Sequence, residues 1–273
     1  MKAIAVVGPS DTGKTTLVER LADRLDGSVA TIKHLDHAPT IDTEGKDTAR
    51  HRAAGACVTY GLSDDGWFAT GEDRSLPDLL DGLVPDHDYA LVEGFSSHGL
   101  PTVVLGGREH AGPELVTAPD ADEIDLDRLC TVIDDLEPRV TLDSLVQDVK
   151  RSPNADRAGA IATFTGRVRV KDAPDDDPTE ALEFETYREV ADERLHAIET
   201  ELEAREGVHE VLTHHRVGRI EAGEDIVFVV VLAGHRREAF STVEDGIDRL
   251  KDEVPIFKKE RTSDEQFWVH DRA

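Results

Sequence analysis

The stretch GPSDTGKT, Gly8 to Thr15, decides how the first half of this 273-residue chain is read. It has the spacing G-x-x-x-x-G-K-[ST], follows the apolar run AIAVV (3–7), and opens into TTLVERL (15–21), whose apolar residues recur at helical spacing. Strand, glycine-rich loop and helix together make a phosphate site. Backbone N–H groups curl round phosphate oxygens, a lysine reaches the outer phosphates, a hydroxyl ligates Mg2+, and the helix N-terminus adds its dipole. The nucleotide-binding residues expected from this pattern are Gly8, Asp11, Thr12, Gly13, Lys14, Thr15 and Thr16. Glu93 ends the apolar run YALVEG (89–94), where a carboxylate can share Mg2+ with Thr15 through water.

Working outward, short apolar strands alternate with helical stretches: KAIAVVG (2–8), TTLVERLADRL (15–25), SVATIKH (28–34), a helix around KDTARHRAAGA (46–56), then YALVEGF (89–95). That order predicts an α/β fold of P-loop NTPase type with a mainly parallel sheet. From about Pro113 the chain reads as acidic and irregular, and LDRLCTVIDDL (126–136) as a closing helix. The expected division is residues 1–138 and 139–273. The second part reads as strands at 158–170, 181–187, 208–215 and 225–234, a helix over about 189–204, a second helix over 238–254 and a last strand at 255–262. This is an α+β pattern with largely antiparallel pairing.

Composition narrows the function classes. The chain carries 58 acidic against 31 basic side chains, a formal net charge of -27. Such an excess argues against nucleic acid or an anionic membrane as partner, because both are polyanions. It fits a halophile's cytoplasm, where molar salt shortens the Debye length to roughly 3 Å and a dense carboxylate surface repels itself little. The run KDAPDDDPTE (171–180) is expected to be a solvated loop. Cys57 and Cys130 are too few for a disulfide framework and lack metal-site spacing. The opening apolar stretch is too short for a signal peptide, so a cytoplasmic location is expected.

Against that acidity, RLKDEVPIFKKER (249–261) holds five cations and three anions, and it contains three of the nine lysines in the chain. Pro255 should end the helix bearing Lys251 and let Lys258 return on a strand toward the same pocket. An extended IFKKE places Lys259 on the opposite side from Lys258. A lysine beside arginines is pushed toward its neutral form, able to move protons or attack a carbonyl, while guanidiniums stay charged and grip phosphate. Arg167 and Arg169 alternate on FTGRVRV and share a face if that run is a strand. No cysteine lies beyond residue 130, so sulfur chemistry in the second half would need sulfur from a partner or substrate. His34 and His37 are open between metal or oxyanion ligation and an ordinary loop role. Of His214 and His215, one is expected to face inward.

GPSDTGKTTL, IKH, DTEGKDTARHRAAGA and LVEGF, in this order, resemble the molybdopterin-guanine dinucleotide biosynthesis adapter family. The resemblance implies GTP binding with Mg2+ and an accessory role in finishing molybdenum cofactor, with the guanylyltransferase of cofactor maturation as a further partner. Ser96 and Ser97 follow EGF where that family usually carries a lysine. In the second half, AIATFTGRVR, HHRVGRIEAGEDIVFVVVLAGHRREAF and DRLKDEVPIFKKE resemble the catalytic large subunit of molybdopterin synthase. That likeness implies an α/β-hammerhead fold, a homodimer, and transfer of sulfur to cyclic pyranopterin monophosphate from the C-terminal thiocarboxylate of a separate small subunit. It implies catalytic roles for Lys251 and Lys258, and substrate binding by Arg169, His235 and Arg236. A non-enzymatic GTP-dependent scaffold or carrier of cofactor intermediates is the alternative reading.

Overall fold

The structure, a computed structural model, describes residues 1–37, 47–171, 173, 177–262 and 266–269, with side chains through Lys259. Part of the DTEGKDTARHRAAGA stretch and part of the acidic run at 171–180 lie outside the described residues. The chain forms two compact units, Met1–Arg139 and Val140–Ala273.

The first unit runs β1 (Lys2–Val7), α1 (Lys14–Arg24), β2 (Val29–Lys33), α2 (Asp47–Ala53), β3 (Val58–Ser63), β4 (Gly66–Gly71), α3 (Leu76–Leu83), β5 (Tyr89–Glu93), β6 (Thr102–Leu105), β7 (Glu114–Ala118) and α4 (Leu126–Asp134). Five strands make one sheet in the order β2-β5-β1-β6-β7, and every pair in it is parallel. Burial on both faces explains why its inner strands read as unbroken apolar runs. Along β5, Tyr89 and Leu91 pack with Leu17, Leu21, Leu129 and Ile133 from α1 and α4 on one face. Ala90 and Val92 pack with Leu76 and Leu80 from α3 on the other. The strand at Glu114–Ala118 corrects the expectation of an irregular stretch after Pro113. It pairs along one edge of β6, and its exposed Glu114 and Thr117 mask the apolar pattern. The hairpin β3–β4 and helix α3 were also not expected. Ser75 caps α3 in a reciprocal capping box with Asp78, a signal present in the sequence as S-x-x-D.

The second unit runs α5 (Leu142–Arg151), β8 (Ala160–Arg167), β9 (Thr179–Thr186), α6 (Arg188–Glu203), β10 (Val208–His215), β11 (Gly218–Glu221), β12 (Asp225–Ala233), α7 (Arg236–Glu253), β13 (Ile256–Thr262) and β14 (Gln266–Val269). Its strands form two antiparallel sheets, β10-β12-β8 and β11-β9-β13-β14. The apolar run in β12 serves two faces. Val227, Val229, Val231 and Ala233 pack with α6 and α7, while Phe228, Val230 and Leu232 pack with Leu145 and Val149 of α5. Helix α7 stops at Glu253 with Val254 extended, two residues before Ile256 begins β13, as Pro255 requires. No helix among the described residues is long and apolar enough to cross a membrane.

Candidate functional site

All five parallel strands of the first unit end on one edge of the sheet, the edge where open α/β sheets bind ligands. Gly8 follows β1 there, Lys33 ends β2, Glu93 ends β5 and Gly106 follows β6. The loop after β1 is packed too closely for side chains at its glycines. A Cβ on Gly8 would lie 2.7 Å from Thr12 Oγ1 and 2.8 Å from the Leu105 carbonyl oxygen. Gly13 has φ 79° and caps α1, and a Cβ there would meet Ala121 Cβ at 2.8 Å. Asp11 also turns left-handed, at φ 65°. Two side chains brace the loop: Thr12 Oγ1 donates to the Pro9 carbonyl at 3.0 Å and Lys14 Nζ to the same oxygen at 2.6 Å. The Lys14 ammonium thus lies across the mouth of the loop, with Thr15 and Thr16 on the exposed first turn of α1.

Thr15 and Glu93 come together as the sequence suggested. Thr15 Oγ1 donates to Glu93 Oε2 at 2.9 Å, an oxygen pair of the kind a hard cation takes. Lys33, to which no role was given, completes the group: its Nζ lies 2.9 Å from Glu93 Oε1 and donates to Thr15 Oγ1 at 3.2 Å. The ammonium compensates a carboxylate that is only 9% exposed. The scarcity of lysine and the position of Lys33 at a strand end were the available signals. His34 packs edge-on against Phe95 at 4.9 Å between ring centroids and pairs with Asp36 at 3.5 Å. Among the described residues no three His, Cys, Asp or Glu side chains form a metal-holding group.

The second unit has a cavity of about 840 Å³ between its two sheets and the C-terminal end of α7. Phe164, Leu182, Phe184, Ile226 and Leu250 give it an apolar floor, and Arg167, Arg169, Lys251 and Lys258 supply positive charge. Arg169 lies just past the end of β8 rather than on it, so it reaches the cavity from the following segment. Arg167 is engaged with Asp225 at 3.0 Å and with the Gly223 carbonyl. Lys251 and Lys258 make no ion pair among the described residues. The register pairs Lys258 with Phe184 and Lys259 with Glu183, so Lys258 shares the cavity face with Phe184 while Lys259 takes the other.

His235 and Arg236 are not brought to this cavity within one chain. They are the N-cap and first residue of α7, whereas Lys251 is in its last turn, fifteen residues beyond Arg236 and about 22 Å further along the helix. Arg249, from the same cation-rich stretch, has a structural task instead. Its guanidinium donates to Glu253 at 2.7 Å and to Glu201 of α6 at 2.7 Å, fastening the two helices beneath the cavity. His215 lines the cavity, and its neighbour His214 stacks on Phe228 on the opposite face of β10. Burial pushes both imidazoles down to about 4.

Comparison with known proteins follows this division. Residues 3–126 match the family described as molybdopterin guanine dinucleotide synthesis protein B, and residues 137–253 match that of MoaE protein. The chain is 56% identical to the probable molybdopterin synthase of Haloferax volcanii over 273 residues, all of both chains. It is 37% identical to the molybdopterin synthase catalytic subunit of Pyrococcus abyssi over 41% of this chain and 74% of that one. A solved structure of Bacillus subtilis MobB is 26% identical and is covered completely by 51% of this chain, with a TM-score of 0.38. The likeness to the Haloferax volcanii protein, unbroken from first residue to last, shows that this chain belongs to the molybdopterin synthase family, enzymes of molybdenum cofactor biosynthesis.

Proposed function

We propose that the second unit transfers sulfur from the C-terminal thiocarboxylate of a separate small subunit to cyclic pyranopterin monophosphate, forming molybdopterin. The observation that carries this reading is the cavity itself. Both reactants are anions, and one of them also has a fused-ring body. An apolar floor takes the rings, and cations take the phosphate and the thiocarboxylate. Lys251 and Lys258, without ion pairs among the described residues, hold the reacting anions and supply or accept protons as a carbon–sulfur bond forms on the pyranopterin and the small subunit's own carbon–sulfur bond is cleaved by water to a carboxylate, a transfer made twice for each dithiolene. Arg169 binds phosphate beside them. His235 and Arg236 can serve such a site only if a second copy of the chain presents the start of its α7, which agrees with a homodimer. Mixing the protein with thiocarboxylated small subunit and cyclic pyranopterin monophosphate should yield dithiolene product, and a complete lack of product would refute the reading.

The first unit, in the same reading, binds GTP with Mg2+ as an accessory to guanine dinucleotide cofactor maturation. The residues present fit the metal: a threonine hydroxyl and a buried carboxylate 2.9 Å apart stand beside a loop shaped for phosphates. Gly8, Asp11, Thr12, Gly13, Lys14 and Thr16 would cradle the phosphates, and Thr15 with Glu93 would hold the Mg2+ ion, which screens phosphate charge when bound. Titration of GTP and ATP into the protein with and without Mg2+ checks this part.

A further inference from the structure

One polar ring on the wall of the second-unit cavity has no role once the cations are assigned. His215, the last residue of β10, lines the cavity with its ring; its Nδ1 is closed off from that space and has no partner of good hydrogen-bond geometry, though the Arg216 backbone adjoins the ring. Nε2, which is not closed off in this way, is the ring nitrogen that can meet a bound molecule. Burial keeps the ring neutral at ordinary pH, with one nitrogen a donor and the other an acceptor. A neutral imidazole is poorly suited to a phosphate, which the lysines and Arg169 already serve. It suits a neutral edge of nitrogen and oxygen atoms that both donates and accepts.

The placement supports such a role. The His215 ring meets Phe184 edge-on, with centroids 5.0 Å apart, so it is held in one orientation across the gap between the two sheets. Phe184 in turn stands directly opposite Lys258 in the β9–β13 pairing. Lys258 and His215 therefore flank Phe184, so that a cation, an aromatic wall and a neutral polar ring border one cavity. A fused heterocycle with an anion at one end has the same order of features.

We propose that His215 is a substrate-binding residue, its ring hydrogen-bonding the neutral heterocyclic edge of the pyranopterin while the lysines hold the anionic end. This rests on the reading of the cavity as the pyranopterin site. His214 is an internal control, since it lies on the same strand but stacks on Phe228 away from the cavity. The test is calorimetric titration of cyclic pyranopterin monophosphate into wild type, His215→Phe, His215→Gln and His214→Phe, without the small subunit, with melting temperatures recorded alongside. His215→Phe should weaken binding by about tenfold or more without lowering the melting temperature. His215→Gln, which keeps a polar atom near the Nε2 position, should stay within about threefold of wild type, and His214→Phe should bind normally. If His215→Phe does not fold, His215→Leu removes the same nitrogen in a smaller side chain and should weaken binding equally. Wild-type affinity in the folded Phe or Leu variant would overturn the role of His215. Absence of binding by wild type would instead remove the cavity reading, and the proposal with it.

Discussion

At the scale of single residues, the acidic background makes each paired cation informative. Lys33 neutralises Glu93, whose carboxylate is nearly buried. Lys33→Met should therefore lower the stability of the first unit by about 1–3 kcal/mol, the cost of leaving a buried charged acceptor short of a partner. Thermal unfolding in chelator checks this, and an unchanged melting temperature would show that the pair contributes nothing. The two half-buried histidines set a pH dependence. Their folded-state values near 4 lie below the ordinary 6.5, so the unfolded chain takes up protons that the folded chain refuses. Stability from the neutral rings is complete above about pH 6.5 and is lost as pH falls toward 4. Glu199, raised by burial, works in the opposite sense and offsets part of the loss. His214→Asn should flatten the fall in melting temperature between pH 6.5 and 4.5. Of these residues, the loop glycines and Lys14 were legible because their spacing is itself the mechanism. Lys33 and His215 were not, because their importance comes from neighbours distant in sequence.

At the scale of elements, α7 carries the cavity's chemistry at one end and is anchored by Arg249 to Glu253 and Glu201 at 2.7 Å each. Arg249→Met should cost about 1 kcal/mol, because the network stays partly open to solvent, and should lower sulfur transfer in proportion to lost folded protein only. A fall in turnover with unchanged unfolding would show that Arg249 acts in the cavity. Most elements with a clean period were legible: β10 matches its sequence expectation residue for residue, and β12, α6 and α7 match within two residues. Those that escaped lack such a period. β7 has polar residues at exposed positions, the β3–β4 hairpin leaves Tyr60, Leu62 and Trp67 exposed, and α5 is announced only by its Thr141 cap and its apolar Leu145 and Val149.

At the scale of the whole molecule, two units with separate cores and separate candidate sites belong to one biosynthetic pathway. Covalent linkage raises the local concentration of one activity near the other, and coupling between them is a separate matter. Lys14→Ala should abolish tight nucleotide binding and leave sulfur transfer nearly intact; a parallel loss of both would tie the sites together. A net charge of -27 makes the folded chain repel itself when salt is low, so stability should fall steeply on dialysis from molar KCl into dilute buffer. The most direct test of the cavity reading is single-turnover sulfur transfer from thiocarboxylated small subunit to cyclic pyranopterin monophosphate, followed by dithiolene product. Lys251→Ala and Lys258→Ala should each slow it by at least about tenfold, roughly 1.4 kcal/mol of transition-state stabilisation, with Lys259→Ala close to wild type. A rate hardly changed by the first two, or a Lys259→Ala variant more damaged than either, would contradict the assignment of the cavity as the sulfur-transfer site.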